Sequence, residues 1–162
     1  MKIIVGFSQG NTVFAKLISY FTRSNISHTY IRIPFEGNPA LSVVFHASKF
    51  NVHYLNYDMF LKTQKKIVAE WEIELTEEQW LHAQSIRFLE AGKPYGWMQI
   101  LGYIWVIYKK SKLNPLNDGN KSHVCVELTA KLMGIKDAET LLPYELEHAI
   151  LEQYPDAVLL TP

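Results

Sequence analysis

The chain is expected to be an α+β protein whose sheet is mainly antiparallel. Strand-like runs crowd its first half, helical spacings fill the second, and no repeat or linker divides the 162 residues. That length suits one domain, 1–162, with a substantial core, and is short for two.

The first strand is read in Lys2–Phe7, and Gln9-Gly10-Asn11-Thr12 supplies a turn with helix caps. Apolar residues at 13, 14, 17, 18 and 21 have helical spacing, and polar residues 22–25 end that helix. Ser27–Ile33 alternates like a strand, Pro34–Ala40 is a loop, and Leu41–Ala47 is the returning strand. Asn51–Asn56 and Lys66–Leu75 supply two more. Thr76-Glu77-Glu78-Gln79 is a capping box, the Thr oxygen accepting an early amide while Gln reaches back. Its helix runs towards Ala91, with Gly92 as the stop. After the turn Pro94-Tyr95-Gly96, an apolar helix starts at Trp97. Leu113–Lys121 holds Asn, Pro, Asp and Gly and reads as a loop, and a helix from Ser122 to Met133 stops at Gly134. Pro143 opens a last helix to about Gln153, and Ala157–Leu160 is a closing strand.

Composition removes several classes of function. Hydrophobic residues at 48% and aromatics at 13% exclude a disordered chain. Sixteen basic and sixteen acidic residues cancel, so no field gathers nucleic acid, and no nucleic-acid partner is expected. One cysteine forms no internal disulfide, so nothing requires an oxidising compartment. The start, Met1–Phe7, is too short for the apolar region of a signal peptide. The most apolar stretch, Trp97–Tyr108, is about a dozen residues against the roughly 20 that span a bilayer. A soluble, cytoplasmic protein is expected, unless a phage or host apparatus delivers it elsewhere.

The hairpin around Gly37 is the most informative local feature. Pairing symmetric about residue 37 sets Ile33, Ile31 and Thr29 opposite Leu41, Val43 and Phe45, on one apolar face. The same register sets Arg32, Tyr30 and His28 opposite Ser42, Val44 and His46, on the other. Opposed residues lie roughly 4.5–5.5 Å apart at Cβ, so the two imidazoles are expected to be neighbours.

Cys125 follows Ser122, a candidate N-cap, by three residues and so falls in the first helical turn. There the unpaired amides and the helix dipole favour thiolate, and a nearby imidazolium would favour it further. The bland alternative is an inert cysteine in the stripe formed by Val124, Leu128 and Leu132. His28, His46, His123 and Cys125 also make a conceivable zinc set. No paired cysteine spacing, HExxH or acidic loop accompanies them, so neither metal nor cofactor is expected. Gly6-Phe7-Ser8-Gln9-Gly10 lacks the lysine of a phosphate loop.

Taken in order, these segments resemble the circularly permuted NlpC-type papain-like hydrolases, in particular the YiiX-like group. Ser27-His28-Thr29-Tyr30-Ile31 is similar to the family's "sHvGI" strand, and Val44-Phe45-His46-Ala47 to the strand bearing the third polar residue. Lys93-Pro94-Tyr95-Gly96 resembles the "GkpYd" turn, Val124-Cys125-Val126-Glu127-Leu128 the "yCSEL" helix start, and Leu142-Pro143-Tyr144-Glu145-Leu146 the "tP.dL" segment. Tyr30 stands where the family usually has glycine, and Val126 where it usually has serine.

The resemblance implies a permuted papain-like fold with the nucleophile at a helix N-terminus. Cys125 would attack a carbonyl, His28 would take its proton, and His46 would hold the His28 tautomer. Amides at the start of the cysteine helix, with the Tyr95 hydroxyl, would stabilise the oxyanion. Ser27 and Tyr30 would contact the substrate, Tyr30 narrowing the cleft. The family includes peptidases of cell-wall peptides and relatives of lecithin:retinol acyltransferase that act on lipids, the latter with a Cys-His-His set. The expected activity is therefore amidase or peptidase, the alternative a lipid acyl hydrolase or acyltransferase. A third reading, suggested by Tyr30 and Val126, is a binding module without catalysis. The segment from Trp97 to Tyr108, followed by Lys109-Lys110-Ser111-Lys112, reads as a buried helix or as an interfacial one in peripheral contact with a membrane.

Overall fold

The computed structural model describes residues 1–35, 37–38, 41–109, 114–116, 121–136 and 141–161. Its elements run β1 Lys2–Gly10, α1 Val13–Thr22, β2 His28–Ile33, β3 Val43–Ala47, β4 Val52–Asn56, α2 Tyr57–Leu61 and β5 Gln64–Glu74. They continue with α3 Glu77–Glu90, α4 Trp97–Lys109, α5 Cys125–Leu132, α6 Pro143–Gln153 and β6 Val158–Thr161. The six strands form one sheet in the order β4-β3-β2-β1-β5-β6, and all neighbouring strands pair antiparallel. The α+β expectation holds.

Local chemistry sets the element ends. Thr12 caps α1 by accepting from the Ala15 amide at 3.1 Å. The Thr76–Gln79 capping box forms in both directions. Pro143 opens α6, where its missing N–H costs nothing. Two expectations need correction. The cysteine helix starts at Cys125 rather than Ser122, with Val124 at the N-cap and no side-chain cap. The β2–β3 pairing is Ile31↔Phe45, Arg32↔Val44 and Ile33↔Val43, two residues from the symmetric hairpin, because the connection takes up residues 34–42. A shift of two keeps every side chain on its expected face.

The two faces of the sheet are covered differently. On one, α5 lies against β2 and β3, with α3 and α6 packed on α5. Val5, Phe7, Ile31, Phe45, Ile73, Leu128, Leu146 and Ile150 form the main core there. On the other, the single turn-and-a-half of α2 lays Phe60 over Tyr30 and Val44. Gly6 makes this possible: a Cβ there would fall 2.0 Å from the Tyr30 ring. The buried Glu70 carboxylate then accepts from the Tyr30 hydroxyl (2.8 Å), Tyr57 hydroxyl (2.9 Å) and Arg32 (2.7 Å). Among the described residues no helix is long and apolar enough to cross a membrane.

Candidate functional site

Cys125 opens α5 on the main-core face. Residues 27, 29 and 31 share that face by strand alternation, and the Thr29 hydroxyl meets the Thr129 hydroxyl of α5 at 3.0 Å. The polar neighbours of the sulfur are the Thr29 hydroxyl and amide and the amides of Cys125 and Val126. Burial nevertheless pushes the thiol up, outweighing the hydrogen bonds that pull it down. The expected thiolate at a helix start is thus not what the environment favours. The dipole is present, but the imidazolium is not.

His28 and His46 lie on the opposite face, in step with Tyr30 and Arg32. His28 Nε2 and His46 Nδ1 share a hydrogen bond of 3.0 Å, so the sequence correctly places these rings together. Continuing the observed register sets His46 opposite Tyr30, which makes His28 its diagonal neighbour. Both rings pack on Phe60, with centroids 6.0 and 5.2 Å from it, and His46 also faces His53 at 4.6 Å. Among the described residues no hydrogen bond or ion pair links either ring to Cys125. The sheet separates Cys125 from His28, because His28 and Thr29 are consecutive strand residues and point to opposite sides.

The remaining expected site residues divide in the same way. Tyr30 is fully buried and bonded to Glu70, so it narrows no cleft. Ser27 and Tyr95 share a space with Cys125: all three line a half-open pocket with about 470 Å³ of empty space, its open mouth included. Ile18 and Phe21 of α1, Ile100 and Ile104 of α4, Val126 and Pro143 supply most of the remaining wall, which is almost wholly apolar. Ser27 Oγ is occupied by the Gly10 amide at 3.0 Å. Tyr95 stacks edge-on against Trp97, with centroids 4.9 Å apart.

A buried charged cluster, not foreseen from the sequence, holds the Tyr95 turn against the start of α5. His123 is fully buried, and its Nε2–H donates to Glu90 at 2.6 Å. Its amide donates to the Pro94 carbonyl, and its carbonyl accepts from Gly96. Burial works to raise the Glu90 pKa, but hydrogen bonds from Lys131, Lys93 and His123 together win and hold it down to about 2. His123 Nδ1 and Glu127 Oε2, 3.6 Å apart, have no hydrogen-bond partner. The hint in the sequence was positional: Glu90 lies three residues before Lys93, and His123 four before Glu127.

The histidine pair makes stability pH-dependent. Burial lowers the His28 pKa to about 4, with His53 adding repulsion. Burial, then His28 and His53, lower that of His46 still further. In the unfolded chain both rings take up protons near pH 6.5, while the folded chain keeps them neutral. Stability is therefore full above pH 6.5 and falls as pH drops towards 4. Each ring contributes a slope of up to about 1.4 kcal/mol per pH unit. Urea titrations from pH 7 to 5 should show this slope, and His46→Gln should remove its share.

Comparison with known proteins finds similarity among solved structures. No family model matches the chain, and no curated protein matches it. Among solved structures, the metalloprotein yiiX from Escherichia coli O157:H7 (DUF1105) superposes with a TM-score of 0.58 at 15% identity, covering 99% of this chain and 94% of that one. At that identity the likeness concerns the fold alone, and the fold is YiiX-like. The described residues do not suit a metal ion: no three His, Cys, Asp or Glu side chains are placed to hold one. His28, His46, His123 and Cys125 are divided between the two sheet faces and the Glu90 cluster.

Proposed function

We propose that the chain is a binding module that takes a medium-length aliphatic or acyl chain into the pocket above Cys125. The observation that carries this is the identity of the side chain facing the sulfur: Thr29, which is no base. A neutral thiol at the floor of an apolar pocket welcomes methylenes and activates nothing. Each buried methylene contributes about 0.8 kcal/mol, so about eight correspond to a Kd on the order of tens of micromolar. Dansylated undecanoic acid should bind saturably, and Ile104→Trp, which fills the pocket, should weaken it at least about tenfold. Absence of saturable binding would refute the reading.

A second reading is a cysteine hydrolase acting on peptide amides or lipid acyl groups through a thioester. It draws on the position of Cys125 at the start of α5 and on the hydrogen-bonded His28–His46 pair, in which His28 would act as base and His46 would orient it. It requires the start of β2 to turn over so that His28, rather than Thr29, faces α5. Hydrolysis of nitrophenyl esters or peptide amides that disappears in both Cys125→Ala and His28→Ala would establish it over the first. The fold likeness favours neither, since one fold hosts many chemistries.

A further inference from the structure

The outer surface of α4 is apolar where a globular protein has least reason to expose it. Met98, Leu101, Trp105 and Tyr108 are 58%, 49%, 52% and 76% exposed. At about 100° per residue they fall within roughly a quarter-turn of one another, and Lys109 borders the same arc. Ile100 is buried on the inner side of the helix, and Ile104, which also lines the pocket, lies between that side and the stripe. The helix thus lies between the apolar pocket and an external apolar stripe.

Positive charge accompanies this stripe at both ends. The Lys109 ammonium lies 5.4 Å from the Trp105 ring centre and 5.3 Å from that of Tyr108. The chain continues Lys110-Ser111-Lys112, so three of four consecutive residues are lysine in a chain of zero net charge. At the other end, the Trp97 indole donates to the Lys49 carbonyl at 2.9 Å, fastening the 49–50 turn beside α4. There the Lys49 ammonium lies 4.6 Å from the ring of Phe50, which is 73% exposed.

From this we infer that α4 docks the protein on an anionic lipid surface. Trp105, Leu101 and Met98 enter the boundary between headgroups and acyl chains, while Lys109 and Lys49 meet lipid phosphates. Aromatic rings paired with lysines suit that boundary, where one end of each side chain is apolar and the other is wet. A protein partner would match the apolar stripe but leave the lysines without a reason to border it. The inference goes beyond the pocket reading and does not depend on it.

Co-sedimentation with vesicles tests it. The full chain should bind vesicles of phosphatidylcholine mixed with phosphatidylglycerol, bind phosphatidylcholine alone far more weakly, and release at high salt. The Leu101→Ser, Trp105→Ser double variant should lose at least about tenfold in binding. Lys109→Glu should lose more than about fivefold. These are exposed positions, so circular dichroism should stay unchanged. Ile104→Trp should still bind, which separates this outcome from that of the pocket. No sedimentation with anionic vesicles, or sedimentation untouched by the double variant, would overturn the inference. So would light scattering that shows a dimer broken by the same two substitutions, since a second copy would then cover the stripe.

Discussion

Thr29→His, made together with Thr129→Ala to clear space, should convert Cys125 into a reactive thiolate. Residue 29 lies on the α5 face, its hydroxyl 3.0 Å from that of Thr129 and in contact with the sulfur. An imidazole there would meet the thiol directly at a helix start whose amides already point at the sulfur. Such pairing lowers a thiol pKa to between about 3.5 and 7.5, against about 8.5 for a free cysteine. At neutral pH a free thiol is only a few per cent ionised, so alkylation should rise by about eightfold to thirtyfold. Thr129→Ala alone should leave the rate low. If the double variant alkylates no faster, the assignment of residue 29 to the cysteine face is wrong.

Glu90→Leu should be the most destabilising single change near the site, by about 2–4 kcal/mol in urea unfolding. Glu90 is 3% exposed and accepts from His123, Lys93 and Lys131. Lys93 and Lys131 are about one-third exposed and can turn to water, whereas His123 is completely enclosed. Its Nε2–H would be left without an acceptor. Glu90→Gln keeps one acceptor and should cost about half as much. Because His123 also bonds the backbone of Pro94 and Gly96, Glu90→Leu should loosen the Tyr95 wall and weaken chain binding in the pocket. A loss below about 1 kcal/mol would mean that His123 finds another acceptor.

Much of the fold was legible because local signals are strong where the chain is regular. The Thr76–Gln79 box, Pro143 and the alternation of residues 27–33 each carry a mechanism that tertiary packing did not override. The helix α2 was missed: five residues, Tyr57–Leu61, are too few to show a period. The hairpin register slipped by two because no turn chemistry in residues 34–42 states the loop length. Parity survived the slip, and with it the prediction that His28 and His46 share a face.

The site was less legible for a reason that the alternation itself contained. Ile31, Thr29 and Phe45 were recognised as the apolar face, and Val124, Leu128 and Leu132 as the apolar stripe of the cysteine helix. Two apolar surfaces pack together, which places α5 against Thr29 and away from His28. Motif resemblance pointed to His28, packing to Thr29, and in the structure packing prevails. The Glu90–His123–Lys131 cluster was beyond the sequence because its members are separated by 33 and 41 positions.

The rate of iodoacetamide alkylation at Cys125, followed against pH in the unaltered chain and in His28→Ala, tests the central claim most directly. A buried thiol beside Thr29 should react no faster than a free thiol at neutral pH, titrate above the range of a free thiol because burial disfavours the thiolate, and give the same curve in His28→Ala. Fast labelling at neutral pH with a midpoint below about 7, abolished by His28→Ala, would contradict it and establish the imidazole as the partner of the sulfur.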